Sequence, residues 1–281
     1  MTRQTVGFIG GGNMARAIAG GLVRSGFGAE NILISTPRPE QRELLQRQFP
    51  GAVVTGDNCE VAGAAGNLLL AVKPQILRAV CSELKAAVQK QKPLVISIAA
   101  GPTVADIDSW LGGSLEIVRV MPNQPALVDQ GISALYANAR TDDFGRILAE
   151  KVMTAVGKVV WIDDESLMDA VTAVSGTGPA YVYLLIDMMI ASAVELGIPP
   201  EVARTLVVET AKGAASLAIA EQESMMSLID RVRSPGGTTT AAFARLEAAD
   251  VRAIFAAAIT AARDRALELA EEARSIRDGG A

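Results

Sequence analysis

Two stretches of this chain hold residues whose types and spacing suit chemistry. The first is Gly10-Gly11-Gly12-Asn13-Met14-Ala15. Its spacing is Gly-x-Gly-x-x-Ala, the pattern that binds a dinucleotide when it joins a strand to a helix. Gly10 permits the tight turn, Gly12 keeps a side chain away from a pyrophosphate, and Ala15 lets the helix lie close to the strand. The apolar run Thr5–Ile9 precedes it, and small and apolar residues at helical spacing follow from Ala15 to Val23. The helix start then offers unpaired N–H groups and the positive end of its dipole to phosphates. The second stretch is Ser234-Pro235-Gly236-Gly237-Thr238-Thr239-Thr240. Adjacent glycines open the backbone, and threonine hydroxyls stand where a helix begins, which suits a small anion such as a carboxylate. A loop with an ordinary threonine cap has the same composition, so this stretch alone does not decide.

What the chain lacks narrows the chemistry further. It has 281 residues and no histidine, which excludes a Ser-His-Asp triad, an HExxH zinc site and any histidine acid or base. Its two cysteines, Cys59 and Cys81, form no CxxC pair; a reducing, cytoplasmic setting fits, and no metal site is expected. A net charge of −5 argues against a nucleic-acid surface. No basic-then-apolar leader is visible, because Gly10–Asn13 interrupts the early apolar run. The most apolar helix, Tyr181 to Leu196, contains Asp187 and Glu195. It reads as too short and too charged for a bilayer, and as a buried helix of a soluble protein.

The elements that must position these stretches fall into two halves. Strands are expected at Thr5–Ile9, Asn31–Ser35, Val53–Thr55, Asn67–Val72, Leu94–Ile98, Leu115–Val120, Gly131–Tyr136 and Lys158–Ile162. They alternate with helices at Ala15–Val23, Glu40–Phe49, Pro74 to about Lys90, a short one opened by Thr103, and Thr141–Ala155. This is the pattern of a doubly wound α/β sheet, a Rossmann-type domain over residues 1–162. Beyond Asp163 no strand is convincing. Helices are expected at Ser166–Val174, Pro179–Leu196, Pro199 to about Ala220, Ser224–Val232, and in one last long alanine-rich helix to about Ala273. An irregular link, Ser175–Gly178, separates the first two, and the tail from Arg274 to Ala281 is expected to fray. Residues 163–281 therefore form an all-α second domain.

Cofactor choice is written at strand ends. The second strand ends in Ser35-Thr36-Pro37-Arg38, with no acid to bond ribose hydroxyls. Hydroxyls and a guanidinium suit a 2′-phosphate, which favours NADPH, with NADH as the weaker alternative. Lys73 follows a buried strand and precedes Pro74, which restricts the backbone there and faces Lys73 toward the cofactor. Ala99-Ala100-Gly101 leaves room for a nicotinamide ribose, or reflects close helix packing.

Six segments in this order carry a resemblance: Val6–Ala15, Ala71–Pro74, Ala99–Gly101, Met121–Asn123, Ser175–Tyr181 and Ser234–Thr239. Together they resemble pyrroline-5-carboxylate reductase over nearly the whole chain, up to about Leu269. The resemblance implies that Ile9, Gly10, Gly11, Gly12, Asn13 and Met14 hold the pyrophosphate and that Thr36 meets the 2′-phosphate. It implies that Asn58, Val72, Lys73, Pro74 and Ala100 line the path from adenosine to nicotinamide. Glu165, Ser234, Gly236, Gly237, Thr238 and Thr239 would meet substrate or product, with Thr239 the catalytic donor to a ring nitrogen. Arg38 and Arg231 stand where the family varies, and their cofactor contacts are inferred from charge. Gln124 replaces a common threonine, without an evident consequence. The implied substrate is a small cyclic imine, and the implied assembly is a homo-oligomer built from dimers, up to a decamer. Neither nucleic acid nor membrane is an expected partner.

A β-hydroxyacid dehydrogenase would share the Rossmann half. It needs a lysine four residues after a glycine motif in the second domain; here Val182 follows Gly178 at that distance, and no lysine lies between Lys158 and Lys212. A protein that only senses NADPH would keep the glycine turn but would have no use for the Ser234–Thr239 stretch.

Overall fold

The structure is a computed structural model that describes residues 4–275. Eight strands form one sheet: β1 (Val6–Ile9), β2 (Ile32–Ser35), β3 (Val53–Thr55), β4 (Asn67–Leu70), β5 (Leu94–Ser97), β6 (Ile117–Met121), β7 (Gly131–Ala137) and β8 (Gly157–Trp161). Their order is β3-β2-β1-β4-β5-β6-β7-β8. The first six run parallel; β7 pairs antiparallel to β6, and β8 runs parallel to β7. The expected α/β doubly wound sheet is therefore present, mostly parallel, with every expected strand in it.

Alternation along the strands explains the two faces. Val6, Phe8, Ile32, Ile34, Leu69, Leu94, Ile96, Val118 and Val120 enter one buried cluster. Ile9, Leu33, Leu68, Leu70, Val95 and Ile117 enter the other. Successive side chains of a strand point to opposite faces, so strands covered on both faces read as unbroken apolar runs. Helices α1 (Asn13–Arg24), α2 (Pro39–Gln48) and α6 (Asp143–Thr154) cover the first face. Helices α3 (Asn58–Ala64), α4 (Pro74–Gln91) and α5 (Val104–Trp110) cover the second. Helix α3 is absent from the sequence-based expectations. Its signal is Asp57, whose carboxylate accepts from the N–H groups of Cys59 and Glu60 at 2.7 and 3.2 Å, an N-cap in front of an acidic first turn. Gly7 lets α3 approach β1, since a Cβ there would lie 2.6 Å from the Ala65 side chain.

The helical part divides differently from its expected outline. A 3₁₀ turn (Glu165–Leu167), α7 (Met168–Val171) and a π turn (Thr172–Gly176) lead directly into α8 (Gly178–Glu195). The expected irregular break at Ser175–Gly178 is instead a widened helical turn, closed by the Thr177 N–H donating to the Thr172 carbonyl at 2.8 Å. The resulting run, Glu165–Glu195, spans 31 residues and is long and apolar enough to cross a membrane by length and composition. That corrects the expectation of a helix too short to do so, which counted only its second part. Next come α9 (Pro200–Ala220), α10 (Met225–Val232), α11 (Thr238–Ala248) and α12 (Val251–Ser275). The expected single last helix is thus two helices, parted at Ala249–Asp250, where Asp250 takes φ +49. Helix α12 includes Arg274 and Ser275; the remainder of the expected frayed tail lies outside the described residues.

The chain forms two compact units. One comprises residues through Thr177 together with those from Ala262 onward; the other is Gly178–Ala261. Within the first, Ala266, Ala270 and Ala273 of α12 are buried, and Gly101 (φ +102) abuts Ala270, whose Cα would lie 3.2 Å from a Cβ. Close helix packing is therefore realised at Gly101. Within the second unit, α8 has no buried residue. Leu184, Leu185 and Met188 are all about half exposed, at 56%, 49% and 47%. The single chain therefore does not bury this helix.

Candidate active site and cofactor turn

The strand order reverses between β1 and β4, the switch point at which open α/β sheets bind ligands beyond their carboxyl ends. Gly10 leaves β1 with φ +101, and its N–H donates to the Ser35 carbonyl at 3.0 Å. A Cβ on Gly10 would sit 2.7 Å from the Ala71 carbonyl oxygen, and one on Gly11 would sit 2.6 Å from the Leu45 side chain. Gly12 differs from both: a Cβ there would meet nothing within 4 Å. It is the N-cap of α1, which has no side-chain cap and no acid in its first turn. The helix start is thus open to an anion, and among Gly10, Gly11 and Gly12 only the last is free of a packing reason.

The neighbouring strand ends close the rest of this edge. The Ala71 N–H donates to the Ile9 carbonyl at 2.9 Å, and the Ile98 N–H to the Leu70 carbonyl at 3.1 Å. Val72 comes to the turn, its side chain 3.2 Å from where a Gly10 Cβ would stand, and Lys73, Pro74 and Ala100 follow the ends of β4 and β5 in sequence. Lys73 is the N-cap of α4, with Pro74 in its first turn; the lysine is exposed. The Asn58 carboxamide accepts from the Ser35 hydroxyl at 2.7 Å and donates to Glu83 at 3.3 Å. Thr36 is only 2% exposed, and its hydroxyl donates to Gln41 at 2.8 Å. Gln41 in turn donates to the Gly11 carbonyl. Thr36 therefore serves the loop internally, and Arg38, exposed at the N-cap of α2, is the group at this strand end that faces solvent. Arg42 is committed to the same loop, donating to the Thr36 and Pro37 carbonyls at 3.0 and 2.9 Å.

Glu165 also belongs to the first unit. Its Oε1 accepts from the Val104 N–H at 2.8 Å and from Arg119 at 3.2 Å. Arg119, 3% exposed on β6, donates as well to Asp169 at 3.3 Å. The sequence reading missed this cluster; its one signal was an arginine inside the apolar strand Ile117-Val118-Arg119-Val120. Nearby, Asp106 caps α5 with Thr103 and accepts from Arg274 at 2.9 Å. Burial opposes its ionisation, but the bonds from Thr103 and the Arg274 guanidinium outweigh that and hold its carboxyl below the usual range. Burial pushes the Cys81 thiol up to about 12, and burial with Glu83 and Asp57 raises that of Cys59, so both shifts favour the thiol over the thiolate. No group of acidic, cysteine or histidine side chains able to hold a metal occurs among the described residues.

Ser234, Gly236, Gly237, Thr238 and Thr239 lie in the second unit. Gly237, not a threonine, is the N-cap of α11, and no side chain caps the helix. The turn is closed by the Gly237 N–H and the Thr240 hydroxyl, both donating to the Ser234 carbonyl at 3.0 and 2.7 Å. Gly236 has φ +69 and open space around it; a Cβ on Gly237 would lie 2.3 Å from the Ser234 hydroxyl. Thr238 and Thr239 occupy the first turn, where backbone N–H groups lack intrahelical acceptors. Arg231 pairs with Glu221 at 3.4 Å and Glu223 at 3.6 Å.

Comparison with known proteins accounts for both halves. Residues 165–269 match the family described as pyrroline-5-carboxylate reductase dimerisation, and residues 5–101 match that described as NADP oxidoreductase, coenzyme F420-dependent. Pyrroline-5-carboxylate reductase of Pseudomonas aeruginosa is 43% identical over 97% of this chain and 99% of its own. A structure of the Coxiella burnetii reductase superposes with TM-score 0.88 at 40% identity, over 95% of this chain and 99% of that one. The Plasmodium falciparum enzyme, solved with NADP bound, gives 0.85 at 28% identity, over 95% and 98%. Prephenate dehydrogenase of Aquifex aeolicus, at TM-score 0.53 and 17% identity, shares the fold alone. Likeness at this level, running through the glycine turn and the helical half alike, means that the chain belongs to the pyrroline-5-carboxylate reductase family.

Proposed function

We infer that the protein reduces the cyclic imine 1-pyrroline-5-carboxylate to L-proline with NADPH, the last step of proline biosynthesis. The observation that carries this reading is the 43% identity with such a reductase over 97% of the chain. The open Gly12 and the uncapped, acid-free start of α1 fit a dinucleotide's phosphates. Ile9 to Met14 would hold the pyrophosphate, Arg38 and the Thr36 loop the 2′-phosphate, and Asn58, Val72, Lys73, Pro74 and Ala100 the remainder. When bound, NADPH supplies the hydride that reduces the C=N carbon; NADH is the weaker donor.

The chain's own residues supply position and polarity. The Gly236–Thr238 backbone at the start of α11 holds the substrate carboxylate, assisted by Ser234 and the helix dipole. The Thr239 hydroxyl donates to the ring nitrogen as it gains electron density. An imine nitrogen takes its proton readily from water, so an enzyme without histidine needs mainly orientation and electrostatics.

The homo-oligomer is built on a dimer, in line with the dimerisation family matched over residues 165–269. We propose further that the second copy covers the exposed apolar faces of α8, that dimers assemble up to a decamer, and that the protein is cytoplasmic. On this reading the partners exclude nucleic acid and membrane, with residues 1–162 serving the cofactor and 163–281 the substrate and assembly. The test is NADPH oxidation with pyrroline-5-carboxylate against a panel of keto acids. Faster turnover with any keto acid would overturn the reading.

A further inference from the structure

Gln41, in the first turn of α2, holds the middle of the glycine turn from outside. Its carboxamide makes two bonds: the NH2 end donates to the Gly11 carbonyl, and the oxygen accepts from the Thr36 hydroxyl at 2.8 Å. Only one orientation satisfies both neighbours. A carbonyl can only accept, so the NH2 end must face Gly11. The oxygen is left for Thr36, whose single hydroxyl hydrogen is thereby committed. Thr36 and Gly11 are both buried, so these bonds are shielded from water.

The peptide between Gly11 and Gly12 needs such a bond. On one side the Gly10 N–H is held by the Ser35 carbonyl at 3.0 Å, and on the other the Gly12 carbonyl accepts from the Arg16 N–H at 2.9 Å. Between these anchors the peptide plane is flanked by two glycines, which oppose its rotation least of all residues. The Gln41 bond fixes it. The plane is rigid and trans, with no cis bond among the described residues, so the Gly12 N–H points opposite to the Gly11 carbonyl. The carbonyl faces Gln41 of α2, and the N–H therefore faces away from that helix. This N–H donates to no group among the described residues, and Gly12 is exposed, with nothing within 4 Å of a Cβ. It is a donor kept open and held in one direction, which is what an anion at the start of α1 requires.

We propose that Gln41 is the positioning residue that aims the Gly12 N–H at the cofactor's pyrophosphate. This rests on the reading of the glycine turn as the dinucleotide site. Gln41 acts through the Gly11–Gly12 peptide and not by touching the cofactor. Without it the peptide populates both orientations, and apparent affinity falls by the fraction that is competent. The pyrophosphate is common to NADPH and NADH, so the loss falls on both cofactors, unlike that expected at Arg38.

The experiment is a double-mutant cycle of Gln41→Met and Gly12→Ala on the full-length enzyme. It reads KM for NADPH, NADH and the imine, kcat, and Tm of the cofactor-free protein. Gln41→Met keeps the length of the side chain and removes both bonds. It is expected to raise the NADPH and NADH KM values alike, by about tenfold, with the imine KM and kcat at saturating cofactor within about twofold of wild type. In the Gly12→Ala background, where the donor is already obstructed, adding Gln41→Met should change the NADPH KM by less than about twofold. A lower Tm with both cofactor KM values unchanged would show a merely structural bond and overturn the proposal. A loss confined to NADPH would overturn it too, by placing the effect in the Thr36 loop, as would multiplying losses in the two backgrounds. If Gln41→Met yields no folded protein, Gln41→Leu takes its place with the same criteria. If the wild-type enzyme oxidises neither NADPH nor NADH, the dinucleotide reading fails and the proposal with it, whereas the other adverse outcomes, in an active enzyme, sink only the role of Gln41.

Discussion

Gly10 and Gly12 stand two residues apart in one turn, yet their replacement by alanine should have opposite consequences. At Gly10 the dihedral φ +101 is one that an alanine rarely adopts, which costs about 1–3 kcal/mol. The new Cβ would also lie 2.7 Å from the Ala71 carbonyl oxygen. That neighbour is backbone at the end of β4, so relief requires moving the strand end, at about 1–3 kcal/mol more by analogy with overpacking. Gly12 has φ −69 and ψ −178, ordinary for alanine, and a Cβ would meet nothing. Its stability cost is the change of N-cap residue, about 1 kcal/mol or less. The same methyl group would stand where a pyrophosphate approaches the start of α1. Losing one charge-assisted N–H contact there costs about 1.5–3 kcal/mol, about tenfold to a hundredfold in affinity. The assay pairs thermal unfolding of the cofactor-free variants, at one fixed protein concentration, with steady-state KM for NADPH. Gly10→Ala should lose the more Tm; Gly12→Ala should lose no more than about 2–4 °C and lose NADPH affinity. A Gly12→Ala enzyme with wild-type NADPH KM would refute the phosphate role of this turn.

Other expectations concern the remaining groups. Arg38→Ala should narrow the preference for NADPH over NADH, by about tenfold to a hundredfold if one charge-assisted contact is lost; equal kcat/KM for both cofactors in the unmutated enzyme would exclude a 2′-phosphate site at this strand end. Thr239→Val should lower kcat and kcat/KM together by about 2–4 kcal/mol in transition-state stabilisation, whereas Gly237→Ala should act through the displaced Ser234 hydroxyl and mainly raise the imine KM. A monomeric mass with full activity, by light scattering at micromolar concentration, would contradict the dimer that α8 requires. Asp106, whose folded pKa is lowered, contributes stability present above its unfolded value of about 3.9 and lost as pH falls through the folded value. The Tm gap between wild type and Asp106→Asn should therefore close as pH drops below about 3.9, and a constant gap down to strong acid would show that the Thr103 and Arg274 bonds do not stabilise the charge.

The centre of the sheet was legible because β1, β2, β4 and β5 are buried on both faces, and buried strands advertise themselves as apolar runs bounded by Gly, Pro and Asn. Leu68, Leu69 and Leu70 illustrate this: all three are fully buried, but in alternate clusters. Helix α3 was hidden by its seven residues, too few for a periodic pattern, although Asp57 and Glu60 gave it a start signal. The π turn at Thr172–Gly176 was hidden because Ser, Gly and Thr read as a loop, and only the Thr177-to-Thr172 bond reveals the widened turn. Thr36 was legible as a polar residue at a strand end, but its direction was not. A hydroxyl pointing at Gln41 and one pointing at solvent have the same sequence. Arg119 was visible as a charge in an apolar strand, and what it pairs with is set by a segment about fifty residues away, beyond any local pattern.

The return of the chain into its first unit has a consequence for the order in which the protein is made. Helix α12 begins in the second unit and, from Ala262 on, belongs to the first, where Ala266, Ala270 and Ala273 are buried. Synthesis runs from the N-terminus, so all eight strands have emerged long before the alanine stripe that packs at Gly101 exists. The nascent sheet must wait, with that surface uncovered, until the segment carrying Ala266, Ala270 and Ala273 has been added. A ribosome stalled after residue 261 would carry every strand and the Ser234–Thr239 turn, yet would hold an unfinished first unit, whereas a protein whose halves followed one another along the chain would have completed its first half by then.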